Sequence, residues 1–239
     1  MTTSSLRRVG MLAPMEPEFE PLVRMLGMTR DGDLSRGTMR GADGRDVEIL
    51  ALLTTMGMTA GERAAERMLD EDVDRVIVVG IAGGVDPATV SIGDVVVPAT
   101  VIDRRTDTIY GPPVSSDLAP RGTISCGDEL ITDPPTLAAM GAAGVIAVDM
   151  ETAAVAAVCE AAGVPWSAFR GISDYAGDGL VDQELFEATN PDGTGDRDAI
   201  ARYLEAHPEK LEVLARLARD CAVATEAAAT AAIRSCAAD

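Results

Sequence analysis

The 239-residue chain holds one histidine, His207, and one lysine, Lys210, both in an acidic, helix-like segment far from any glycine loop. A Ser-His-Asp or Cys-His nucleophile would have to recruit His207 as its base, and a phosphate-loop lysine or Schiff base would have to be Lys210. Catalysis is therefore expected to run on carboxylates. The segment Arg170-Gly-Ile-Ser173-Asp174 places an arginine, a hydroxyl and a carboxylate at or just after the end of a strand expected to be central, where charge is rare. Buried charge must be compensated, so Arg170 and Asp174 either form a structural ion pair or line a ligand cavity. Asp149-Met150-Glu151-Thr152 lies where a strand hands over to a helix. Glu151 there either grips vicinal hydroxyls or complements the helix dipole, with Asp149 as a cap. Glu18 sits on an amphipathic helix, where an acidic residue is ordinarily solvated. Gly80-Ile81-Ala82-Gly83-Gly84 either exposes backbone amides to a ligand or makes a tight turn under a packed helix, and it is neither GxGxxG nor a phosphate loop. Met15, Met56, Met58 and Met150 read as core filler rather than as a thioether pocket.

These residues need elements to position them. Val9–Ala13, Val47–Leu53, Arg75–Val79, Ile92–Val97, Val145–Val148 and Trp166–Arg170 read as buried strands. Glu16–Gly27, with Phe19, Leu22, Val23 and Leu26 at helical spacing, Glu62–Leu69 and about Asp149–Ala162 read as helices between them, which makes an α/β protein of crossover units. Arg104–Pro120 is polar and aperiodic and is expected to be a long, mobile surface loop bordering a site. Asn190–Asp196 is rich in turn residues, and Asp198–Cys236 reads as alanine-rich helix.

The remaining totals exclude function classes. A formal charge of −19 repels a phosphate backbone, and no basic stripe outweighs it, so no nucleic-acid partner is expected. Apolar runs fall far short of the roughly 20 residues of a membrane span, and the stretch after Arg7-Arg8 breaks at Pro14 and Glu16, which argues against a membrane association or a secretory leader. Cys126, Cys159, Cys221 and Cys236 are widely spaced without a CxxC pair, as expected of reduced, cytoplasmic thiols that hold no metal.

Three segments taken together resemble the purine nucleoside phosphorylase and uridine phosphorylase superfamily, and within it the 5'-methylthioadenosine/S-adenosylhomocysteine nucleosidases. They are Val9–Glu18, Gly80–Gly84 with Ile92–Val97, and Val148–Ala154 with Val164–Asp174, within a resemblance spanning about residues 8 to 177. It implies one phosphorylase-like α/β domain over 1–239 with a central mixed twisted sheet flanked by helices; the turn-rich insertion at about 187–208, longer than in the compact nucleosidases, and the C-terminal helix at about 208–236 are read from the residues beyond it. It also implies hydrolysis of the N-glycosidic bond of an adenine nucleoside without cofactor or metal, in a cytoplasmic homodimer. By position, Glu18 resembles the carboxylate that activates water, Asp174 the acid that protonates adenine N7, and Arg170 the group near the water. Met150 and Glu151 match the ribose contacts, Ser173 a support for Asp174, and Ala82 and Gly83 the loop near sugar and base. Leu130, with Ile131 beside it, stands at the base site where an aromatic is usual, and Asp149 replaces a glutamate. Phosphorylases of the superfamily carry an arginine and a hydroxyl for phosphate where this chain has Val78 and Ile81, which favours water as nucleophile. A phosphorolytic enzyme of the same fold and a non-catalytic nucleoside-binding relative are the alternatives.

Overall fold

The computed structural model describes residues 7–112 and 118–238. Four parallel strands form the centre of a branched sheet: β1 (Arg8–Ala13), β4 (Asp46–Leu53), β5 (Arg75–Gly84) and β11 (Trp166–Tyr175). Beyond β4 lie the antiparallel β3 (Leu34–Arg40) and then β2 (Thr29–Asp31). On the far side β10 (Val145–Asp149) pairs antiparallel with the last residues of β5 and is followed by β9 (Thr123–Cys126), β7 (Thr100–Asp103) and β8 (Thr108–Tyr110). The short β6 (Val95–Val96) pairs with β11. The sheet is thus mixed and flanked by helices, as the resemblance implied.

Side-chain alternation builds two cores. Val9, Met11 and Ala13 of β1 pack with Phe19 and Leu22 of α1 (Glu16–Leu26) and with Ala228 and Ala232 of α7 (Lys210–Ala238). Leu12 turns the other way, into a core with Met58, Ala65 and Met68 of α2 (Met58–Leu69) and Ala153 and Ala156 of α4 (Thr152–Ala162). A strand covered on both faces has no polar side to show, which is why β1 reads as a continuous apolar run. Each fully buried Leu or Met contributes roughly 1.5–3 kcal/mol.

Several sequence expectations need correction. Gly80–Gly84 is not a turn: β5 runs straight through it, pairing with β11 over its whole length. β11 likewise continues beyond Arg170 to Tyr175, with a register shift between Ile172 and Asp174 that leaves Ser173 bulged. The α4 helix starts at Thr152 rather than Asp149, so Glu151 is its N-cap residue, without a side-chain cap bond. Ile92–Val97 contributes only two strand residues, because Gly93 turns with φ +86° and Pro98 cannot donate to a ladder. Part of the expected loop Arg104–Pro120 is the hairpin strand β8, while residues 113–117 lie outside the described residues. The expected helix Asp198–Cys236 is two helices, α6 (Arg197–Ala206) and α7, separated at His207 (φ −130°, ψ 65°), as the residue before Pro208 is driven out of the α region. Not anticipated were β2, β3, β7, β9, α3 (Pro134–Ala142) and α5 (Gln183–Glu187). Among the described residues no helix is long and apolar enough to cross a membrane.

Candidate active site

A cavity of about 230 Å3 opens at the carboxyl ends of β5, β10 and β11. Glu18, Ala82, Gly83, Leu130, Ile131, Met150, Glu151, Ser173 and Asp174, all singled out in the sequence, line it together. Arg170 is not on its wall; it lies wholly buried beneath, with 0% of its surface exposed. A larger groove of about 810 Å3 lies elsewhere, against α7, and gathers no comparable carboxylate set.

The α1 helix presents Glu18 from its first turn. One carboxylate oxygen, Oε2, accepts from the Met15 N–H at 2.7 Å, and Oε1 accepts from the Ile81 N–H of β5, also at 2.7 Å. This second bond requires the glycine segment: a Cβ on Gly80 would stand 2.2 Å from Glu18 Oε1 and 2.7 Å from Arg170 Nη1. What approaches the backbone at Gly80 is therefore the protein's own carboxylate. Burial pushes Glu18 up to about 8, against the opposing pull of Arg170 and the two backbone donors, with Glu151 adding to the rise. The expectation of an ordinarily solvated acid is corrected accordingly: Glu18 is buried, and its carboxyl stays protonated to a higher pH than an exposed glutamate.

Arg170 does not pair with Asp174. Its Nε lies 2.7 Å from Asp149 Oδ2 and its Nη2 2.8 Å from Glu151 Oε2, while Nη1 lies 4.0 Å from Glu18 Oε1. Asp149 also accepts from the Thr152 hydroxyl, so its part is to hold Arg170 and not to cap α4. One guanidinium thus faces three carboxylates, which leaves negative charge in excess when all are ionised. Glu151 spans the cluster and the opposite wall, because its Oε1 accepts from the Gly57 N–H at 2.9 Å. Burial raises its pKa and the Asp149 charge adds to this, with Arg170 opposing.

Asp174 follows the bulge in β11, a device that re-aims side chains beside functional sites. The Ser173 hydroxyl donates to its Oδ1 at 2.5 Å. Burial raises the Asp174 pKa despite that bond, and Asp178 adds a smaller rise.

Three of the four methionines read as core, Met15, Met56 and Met150, line the cavity; only Met58 is core, its sulfur 3.2 Å from Cys126 Sγ. Val181 and Phe186, before and within α5, line the cavity together with Thr189, which opens a strap that the sequence marked only as turn-rich. The strap is closed by the bridge Thr189–Gly195 and docked by two backbone bonds, Glu16 N–H to Asp192 O at 2.9 Å and Met56 N–H to Pro191 O at 2.7 Å. Gly193 (φ +78°) rides on Met15 so closely that a Cβ would lie 2.4 Å from its Cγ. Sequence reasoning also missed Arg104, whose only signal was its place at the start of a polar segment expected to border a site, and Glu129, beside Leu130.

The fold and the cavity define an α/β protein with a carboxylate-lined pocket at a sheet's carboxyl edge. The chain belongs to the phosphorylase superfamily, whose family model matches residues 8–120 and 117–206. It is 29% identical over 225 residues to the 5'-methylthioadenosine/S-adenosylhomocysteine nucleosidase of Shewanella oneidensis, covering 75% of this chain and 89% of that protein. The enzyme of the same name from Bacillus subtilis is 27% identical over 201 residues, covering 71% and 87%. Among solved structures, the Helicobacter pylori 5'-methylthioadenosine/S-adenosylhomocysteine nucleosidase matches with a TM-score of 0.68 at 16% identity over 97% of this chain and 98% of that one. The futalosine hydrolase of the same organism matches with a TM-score of 0.66, also at 16% identity, over 96% and 97%.

Proposed function

We propose that the protein hydrolyses the N-glycosidic bond of a 5'-modified adenosine, such as 5'-methylthioadenosine, and releases adenine. The observation that carries this reading is the gathering of Glu18, Glu151 and Asp174 on one cavity, over an arginine already occupied by carboxylates. Departure of adenine from C1' builds positive charge on the ribosyl ring, and the excess negative charge around Arg170 is arranged to meet it. Asp174 donates a proton to adenine N7, a role for which burial, by raising its pKa, keeps the acid form available. Glu18 takes the proton of the attacking water; positive charge growing on the sugar favours its ionised form and so offsets the burial that raises its pKa. Glu151 holds the ribose hydroxyls with its carboxylate.

Water is favoured over phosphate because the cavity offers no uncommitted cation. Of the residues lining it only Arg104 is basic, and its guanidinium is spent on backbone carbonyls, while Arg170 below is spent on carboxylates. The relatives named as nucleosidases support the same choice. The test is adenine release from 5'-methylthioadenosine with and without phosphate, for wild type and Asp174→Asn. Equal rates with free 5-methylthioribose as product, and a loss of about 10²–10⁴-fold in the folded variant, are expected. A phosphate requirement with 5-methylthioribose-1-phosphate as product, or full activity in the variant, refutes the reading.

A further inference from the structure

Arg104, at the end of β7, makes an unusual set of bonds. Its Nη1 donates to Ser125 O at 3.0 Å, its Nη2 donates to Gly127 O at 2.9 Å and to Glu129 O at 3.0 Å, and its own N–H donates to Cys126 O at 2.9 Å. One residue thereby takes four carbonyls of the stretch 125–129, which leads straight to Leu130 and Ile131 on the cavity wall. The guanidinium fits only because residue 127 is glycine: a Cβ there would lie 2.9–3.0 Å from Nη2, Cζ and Nε at once. From the far side the same stretch is tied by Asp128, whose Oδ1 accepts from the Met58 N–H at 2.7 Å, next to the Gly57 N–H that holds Glu151.

We propose that Arg104 is a positioning residue for the adenine subsite, a clamp that fixes the 126–131 stretch so that Leu130 and Ile131 meet the base. Leu130 brings less stacking surface than an aromatic ring, so affinity for the base depends on how firmly that leucine is held. The planar five-donor fork of arginine can serve several carbonyls simultaneously, whereas a lysine ammonium offers a compact point charge. This inference rests on the proposed reading of the cavity as an adenine-nucleoside site.

The experiment compares Arg104→Met, Arg104→Lys and Gly127→Ala with wild type by adenine binding calorimetry, steady-state kinetics and amide hydrogen exchange of residues 127–131. Arg104→Met and Gly127→Ala are each expected to weaken adenine binding and raise KM by about tenfold, equivalent to ~1.4 kcal/mol. Their kcat should stay within about threefold and exchange in 127–131 should accelerate, with Arg104→Lys, the variant most apt to stay folded, between them and wild type. Unchanged adenine affinity, or a fall in kcat with KM constant, overturns the clamp. If wild type itself neither binds adenine nor releases it, the reading of the cavity fails instead, and unaltered exchange of 127–131 in the variants then overturns the clamp separately.

Discussion

Glu18 carries the sharpest consequence at the scale of single residues. Its carboxyl goes from the ordinary 4.5 to about 8 in the folded protein, so between those values the native state keeps a proton that the unfolded chain has released. The stability this contributes is complete below pH 4.5 and is lost as pH rises through about 8. Urea unfolding of wild type and Glu18→Gln across pH 5 to 9 should show the variant gaining on wild type as pH rises; a constant difference would mean that Glu18 is not held in that way. The sequence made Asp174 and Arg170 visible because charge at the end of a buried strand demands a reason. It could not make Glu18 visible by residue type, since its N–H partner on Ile81 is 63 positions away and only the folded sheet brings them together. The pairing of Arg170 stayed open for the same cause: Asp149 and Glu151 come from another strand end, and Asp174 follows the bulge.

Elements with strong periodicity were legible, and those set by neighbours were not. The runs that became β1, β4 and β10 are apolar on both faces and need no context. By contrast β2 and β3 hold exposed polar residues and exist by pairing, β3 along the edge of β4 and β2 on β3, and β5 and β11 extend through glycines that local rules assign to turns. Glycine in these strands answers to packing. The backbone of α7 lies on β11 at Gly171, where a Cβ would fall 2.2 Å from Ala224 O, a backbone atom that no rotamer can move. Gly171→Ala is therefore expected to cost about 3 kcal/mol or more by overpacking, which for a chain of this length lowers Tm by roughly 6–12 °C. A melting curve superimposed on that of wild type would contradict the close packing of α7 on the sheet.

At the scale of the whole molecule, the charge of −19 that disfavours polyanions also suits the proposed reaction, whose transition state would be cationic at the sugar. The strap across 189–195 adds a further consequence. Its two backbone bonds end on Glu16, in the same helical turn as Glu18, and on Met56, one residue before the glycine that holds Glu151. A nucleoside whose substituent props the strap away could still seat its adenine, yet would meet a base and a ribose ligand released from their supports. Discrimination against oversized substrates should then appear in turnover more than in affinity. Bulky 5'-substituted adenosines are expected to act as competitive inhibitors rather than as slow substrates, and an analogue series in which KM rises while kcat holds would speak against it. Selectivity of that kind would make the strap a checkpoint, one that tests the cargo after boarding and withholds the chemistry from whatever displaces it.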